Sequence, residues 1–306
     1  MSTPDLPSGL RVFERGWLSA NNILFIDGDE TLMVDSGYCT HAAQTVSLVE
    51  SVLRERPLDV LVNTHLHSDH CGGNAALQIR YPELKTLIPP GQAHHVAHWD
   101  PIALIYLPTG QLCPEFKFNQ TIQPGTQIRF GAAHWQIHAA AGHDPHSLVF
   151  FEPAGKILIS ADALWENGFG VVFPELEGAD AFAEVAATFD MIERLGPKTV
   201  IPGHGSVFRY TPEVLTRARQ RLDSFVKNPL RHAHHAAKVL LKFKLLETQR
   251  QSFDEFANWA TATPYFTQIR AKFFADSPLR PWIDQLCAEL IAANVARKHG
   301  RYILNA

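Results

Sequence analysis

The chain has 306 residues, 46% of them hydrophobic and 19% charged, with a formal net charge of −4. That length accommodates one large domain with a smaller appendage, or two ordinary domains, and the composition is that of a soluble globular protein with a substantial core. The four cysteines are scattered without a Cys-x-x-Cys pair, and no run approaches the roughly 18 apolar residues needed to span a bilayer. The expectation is therefore a cytoplasmic protein with reduced thiols and no membrane association; Met1 to Gly16 is polar, with no apolar h-region after a basic stretch.

Charge divides unevenly. Residues 1–206 carry 11 Lys or Arg against 23 Asp or Glu (−12), whereas residues 207–306 carry 16 against 8 (+8). The shift marks a boundary near residue 207, and the domains are predicted as 1–208 and 209–306. The basic part either faces an anionic group or presents a solvated helical face.

Taken in order, Leu10–Phe13, Asn22–Ile26 and Thr31–Val34 are short strand-like runs, with Asp27-Gly28-Asp29 as a turn between the second and third. Asp35-Ser36-Gly37 ends the third run. A helix is predicted from about His41 to Arg54, with Ala43, Val46, Leu48, Val49 and Leu53 tracking one face. After Pro57 comes the strand Val60–Val62, and directly after it Thr64-His65-Leu66-His67-Ser68-Asp69-His70. Three imidazoles and a carboxylate within six residues are donors for a borderline metal such as zinc, with iron or manganese open as carboxylates join. A regular strand would split them between its faces, whereas a tight loop at a strand's end lets them converge.

A further buried strand is expected at 85–88. His94 and His98 then stand four apart on a short helix, but no acid completes a cluster, so this reads as a solvated or cleft-lining face. Residues 101–124 read as an irregular excursion. Strand character resumes at Thr126–Phe130, His134–His138, Ser147–Phe151 and Lys156–Ser160, followed by a helix over Ala179–Arg194 and a strand at Thr199–Ile201. Two β-rich halves backed by helices predict a four-layer αββα sandwich with the site at the shared sheet edge. His143, Asp162 and His204 each stand just past a strand, beside a glycine or another small residue. Trp165 and Phe173, in the segment after Asp162, read equally as a pocket wall or as core. Cys71 reads as a small packing residue.

The set His65-x-His67-x-Asp69-His70, His143, Asp162 and His204, in that order, resembles the metallo-β-lactamase superfamily over about residues 10–208. The resemblance implies an αββα sandwich with two metal ions. His65, His67 and His143 would hold one ion, Asp69, His70 and His204 the other, with Asp162 bridging. An Asp at the bridging position, rather than a Cys confined to the second metal, is closer to the glyoxalase II and ribonuclease Z branches than to true β-lactamases. Two divalent ions about 3.5–4 Å apart would lower the pKa of a shared water to give hydroxide, with Asp69 as the catalytic residue orienting it.

Beyond Thr211-Pro212 the pattern is helical towards Lys227 and again over His232–Leu246. Ser252-x-x-Glu255 is a capping box, Ser277-Pro278 starts a last helix through Ala293, and 295–306 reads as a hairpin. This end is similar to the winged-helix module of some beta-lactamase-like ribonucleases. The function expected is a metal-dependent hydrolase of a small ester-like bond, foremost a CoA or glutathione thioester. The alternatives are an endoribonuclease gripping RNA through the basic part, and an enzyme resembling the mononuclear-iron persulfide dioxygenases. The substrate-binding residues and the oligomeric state stay open, a homo-oligomer included.

Overall fold

The computed structural model describes residues 6–130 and 132–306. It divides into two compact units. The first runs to Leu104 and resumes over Leu112–Asp223; the second takes Ile105–Gln111 and Ser224–Ala306. In chain order the elements are β1 Leu10–Phe13, β2 Asn22–Asp27, β3 Glu30–Val34, α1 Ala42–Leu53, β4 Val60–Val62, α2 Ser68–Cys71, α3 Asn74–Arg80, β5 Lys85–Ile88, α4 Ala93–Ala97 and α5 Tyr106–Thr109. There follow β6 Gln120–Thr121, β7 Gln127–Phe130, β8 Ala133–Ala139, β9 Leu148–Glu152, β10 Ile157–Ala161, α6 Phe173–Glu177, α7 Ala181–Leu195, β11 Thr199–Pro202, β12 Phe208–Arg209 and α8 Pro212–Lys227.

In the first unit, β1 to β6 form one sheet in sequence order, and β12-β11-β10-β9-β8-β7 form the other. The alternation of side chains across a pleated strand separates two cores. Ile23, Phe25, Leu32, Val34 and Val62 point from the first sheet into a cluster with Trp135, Ile137, Phe150, Ile159 and Ile201 of the second. Leu24, Met33 and Leu61, the intervening residues, point the other way and pack with Val49 and Leu53 of α1 and Leu77 of α3. On the second sheet, Val149, Phe151, Leu158 and Val200 are buried too. Val185 of α7 abuts Gly142 and Thr188 Oγ1 donates to Ala141 O, seating that helix at the end of β8. Helix, sheet, sheet and helix therefore lie in four layers, as the sequence pattern predicts.

The excursion expected over 101–124 carries two elements. β6 pairs in parallel with β5 through Leu87↔Gln120 and Ile88↔Thr121, and α5 belongs to the second unit. Both are too short to leave a periodic signal.

The second unit holds α9 Pro229–Thr248, β13 Arg250–Ser252, α10 Phe253–Ala262, α11 Pro264–Phe273, α12 Leu279–Ala292, β14 Ala296–His299 and β15 Tyr302–Asn305. Asn228 caps α9, its side chain accepting from Arg231 N, and Ser252 with Glu255 forms the expected capping box on α10. Its three strands lie in the order β13-β15-β14, so the terminal hairpin gains a third strand from between the helices. Ala236, Leu240, Leu241, Phe256, Phe266, Ile283 and Leu286 are fully or almost fully buried and form its core. Among the described residues no helix is long and apolar enough to cross a membrane.

Candidate metal centre

β4 stops at Val62, and the chain then turns into α2, one helical turn with His67 in extended backbone at its N-cap. His65 and His67 precede that turn while Asp69 and His70 ride on it, which breaks the strand's alternation and lets all four reach one place. Asp162 follows Ala161, whose φ of 46° lies in the left-handed region that a non-glycine residue rarely adopts. A register shift between Ile159 and Ala161 accompanies it, re-aiming the chain as it leaves β10. His204 leaves β11 on the Pro202–Gly205 turn, which buried Asn21 clamps by donating to Pro202 O at 2.9 Å and Gly205 O at 2.7 Å.

The seven residues gather into two groups, His65/His67/His143 and Asp69/His70/Asp162/His204, the donor atoms within each lying within 4.8 Å of one another. His65, His70, His143, Asp162 and His204 are buried.

The tautomers in the first group follow from its surroundings. Thr64 Oγ1 spends its proton on Asp35 Oδ2 at 2.8 Å, so it accepts from His65 Nδ1 at 3.1 Å and leaves His65 Nε2 with a lone pair. His143 Nδ1–H donates to Val171 O at 2.5 Å, freeing its Nε2 likewise. His67 Nδ1 lies 3.1 Å from His65 Nε2 and 2.8 Å from His143 Nε2. Burial and the neighbouring imidazoles hold His65 well below the ordinary histidine pKa and His67 at about 4, so both are neutral near pH 7. The lone pairs of His65 Nε2 and His143 Nε2 thus converge on the place where His67 Nδ1 lies, and His67 adds a third in the tautomer that leaves Nδ1 unprotonated. A tetrahedral zinc with bonds of about 2.0–2.1 Å keeps its nitrogens about 3.3 Å apart, close to these separations.

The second group sets two carboxylates against two imidazoles. Burial opposes charge on all four, yet their mutual attraction wins. Asp162 is held well below the usual carboxylate range by His204 and His70, and His70 is raised well above the usual histidine value by Asp162 and Asp35. His70 Nε2 is buried without a hydrogen bond, 3.4 Å from Asp162 Oδ1, while its Nδ1 lies 2.7 Å from Asp35 Oδ2. A buried nitrogen aimed without a partner at carboxylates, in a place that stabilises positive charge, fits a divalent cation. Asp162 stands between the groups, Oδ2 being 3.4 Å from His143 Nε2 while Oδ1 faces His70 and, at 3.8 Å, His204.

Aromatic side chains wall the site. Trp17 stacks on His204 with ring centroids 5.6 Å apart, Trp165 meets His204 edge-on at 5.5 Å, and Phe173 meets His67 at 6.1 Å. Phe173 is buried in the core while touching His67, and Trp165 is half-buried beside His204. Cys71 is buried, its Sγ 3.3 Å from His67 O and 3.8 Å from Cys113 Sγ. His94 on α4 and His98 at its C-cap meet with tilted rings, centroids 4.3 Å apart, outside both groups. The sequence reading missed Asp35, Thr64 and Trp17. A lone acid at a strand's end and a lone tryptophan carry no spacing signal, and only Thr64, next to His65, lay near enough to the motif to be found.

The sequence model of the metallo-beta-lactamase superfamily matches residues 15–204. Among curated proteins, a hydroxyacylglutathione hydrolase of Brucella anthropi is 24% identical over 54% of this chain and 53% of its own length. The chain thus spans about half of that relative. An acyl-coenzyme A thioesterase of Bos taurus is 24% identical over 64% of this chain and 77% of its own. Among solved structures, a beta-lactamase domain protein from Burkholderia ambifaria superposes with a TM-score of 0.60 at 19% identity, covering 99% of this chain and 94% of that one, a likeness of fold.

Proposed function

The chain belongs to the metallo-beta-lactamase superfamily, and on that premise we propose that it is a two-metal hydrolase of small thioesters. The observation that carries the reading is the division of the Asp162 oxygens between a group of imidazoles and a group rich in carboxylate. Divalent ions held there by His65, His67, His143, Asp69, His70, Asp162 and His204 would supply Lewis-acid activation of water and of a substrate oxygen. A nitrogen-rich first group favours zinc.

Asp69 has the most accessible side chain of the seven, at 15% exposure, with Oδ2 fixed 3.1 Å from His204 Nε2. Its carboxylate is ionised, since His204 and His70 outweigh the effect of burial. Oδ1 is the atom that orients the attacking water and accepts its proton. Trp17, Trp165 and Phe173 shield the imidazoles from bulk water and receive the acyl part of the substrate.

A thiolate leaves without a general acid, because thiols ionise near pH 8.5; that favours a thioester over an ordinary ester or phosphodiester. Two relatives bear thioester-cleaving names, one for a glutathione carrier and one for coenzyme A. Both carriers are anionic, which gives the excess of Lys and Arg beyond residue 207 a counterpart. The test is release of free thiol from a hydroxyacyl-glutathione and an acyl-CoA by zinc-loaded protein, and its loss on chelation.

A further inference from the structure

Asp162 is pressed from one side by the backbone of Gly203, where a Cβ would come within 2.3 Å of Oδ1. From another side the indole Nε1–H of Trp165 donates to the same oxygen at 3.1 Å. The imidazoles of His70, His143 and His204 also face this carboxylate, but each turns a nitrogen towards it that would be a ligand atom once an ion is bound. A ligand nitrogen presents its lone pair to the ion and has no proton to give the carboxylate. Trp165 is then the donor that remains, among the described residues, to fix how Asp162 is turned.

Trp165 is itself firmly held. Its backbone N–H donates to Gly168 O at 2.7 Å, closing a turn that Gly168 makes possible at φ +136°. Ser160 Oγ donates to Leu164 O at 2.6 Å, and Gly170 N to Asp162 O at 2.9 Å, so residues 160–170 form one closed, hydrogen-bonded loop. Trp17 packs edge-on against the indole, with centroids 5.2 Å apart. The ring has one place to be, and that place puts its N–H on the carboxylate.

We infer that Trp165 is a positioning residue: its indole N–H sets the rotation of the Asp162 carboxylate so that one oxygen serves each donor group. The inference rests on the two-metal reading above. Without the N–H, the carboxylate is free to turn both oxygens towards one group. The group that also has three nitrogens of its own, His65/His67/His143, keeps its ion. The other loses part of its hold.

The experiment is a zinc titration of chelator-stripped parent and Trp165→Phe by calorimetry, which counts ions and reads their affinities without turnover. Phe keeps a ring against Trp17 and His204 and removes the donor together with part of the indole's bulk. The expected result is an unchanged first affinity and a second weakened about tenfold or more, the range for loss of a hydrogen bond that orients a metal ligand. Two ions bound by Trp165→Phe as tightly as by the parent would overturn the inference and leave the two-metal reading intact. A parent that binds no zinc would defeat both. If Trp165→Phe does not fold, the indole N–H resonances of the parent decide. The signal of Trp165, assigned among the six tryptophan resonances, must move with the second equivalent of zinc and not the first, and a Trp165 signal unmoved by it would overturn the inference.

Discussion

The Nδ1 of His70 lies 2.7 Å from Oδ2 of Asp35, a carboxylate 35 residues earlier in the chain, and both are buried. The contact decides which nitrogen of His70 faces the metal centre. Asp35 also accepts from Thr64 N at 2.9 Å and Thr64 Oγ1 at 2.8 Å, so one carboxylate orients His70 directly and His65 through Thr64. Asp35→Asn keeps the size and removes the charge. It should weaken binding of the ion held by His70 about 10- to 100-fold, measured by zinc titration of the stripped protein. Equal affinity in variant and parent would show that Asp35 serves the fold alone.

Gly203 has room for no side chain. An added Cβ would lie 2.3 Å from Asp162 Oδ1, 3.0 Å from the Ala161 carbonyl carbon and 3.0 Å from His70 Cε1. Gly203→Ala should cost ~1–3 kcal/mol of stability by overpacking and lower zinc stoichiometry towards one. Denaturant unfolding and metal analysis check the two parts separately.

The fold was largely legible because its layers rest on periodicity. The alternation Ile23/Leu24/Phe25, with one set facing the other sheet and the other facing α1 and α3, is visible without coordinates. The metal centre was legible for a different reason: four donors sit within six residues, and the rest at strand ends beside small residues. What supports those donors was not legible. Asp35 meets His70, and Trp17 stacks on His204, only because distant strands are brought together, and no local pattern marks a pairing between residues so far apart. The two-residue strands β6 and β12 escaped for want of any period to read.

In the second unit, Glu289 accepts from His234 at 2.6 Å and from Lys238 at 3.1 Å. Burial would raise its pKa, but these hydrogen bonds outweigh it and hold the group below its ordinary 4.5. A folded-state pKa below the unfolded one stabilises the protein above about pH 4.5, and that contribution is lost as pH falls through the folded value. At pH 6 the parent should exceed Glu289→Gln by about 0.5–1 kcal/mol, the range for a partly exposed pair. Unfolding curves should converge as the pH drops below 4.5. A gap that widens on acidification would contradict the sign.

Arg297, Lys298 and Arg301 are exposed on the β14–β15 hairpin. Reversing all three to Glu should change turnover of a small neutral thioester by less than about twofold, since exposed charges steer encounter more than they drive chemistry. The parent should bind RNA without high affinity near physiological salt. Metal-dependent RNA cleavage, with a salt slope that shrinks in the triple variant by about one for each phosphate no longer neutralised, would favour a nuclease instead.

The most direct measurement is thiol release from a hydroxyacyl-glutathione and an acyl-CoA, followed on one preparation as isolated, after chelation and after zinc is restored. At least one of them should be hydrolysed, with activity abolished by the chelator and recovered with about two zinc ions per chain. A single bound iron with oxygen consumed in the presence of a persulfide, or two bound ions with neither thioester cleaved, would contradict the two-metal thioesterase reading.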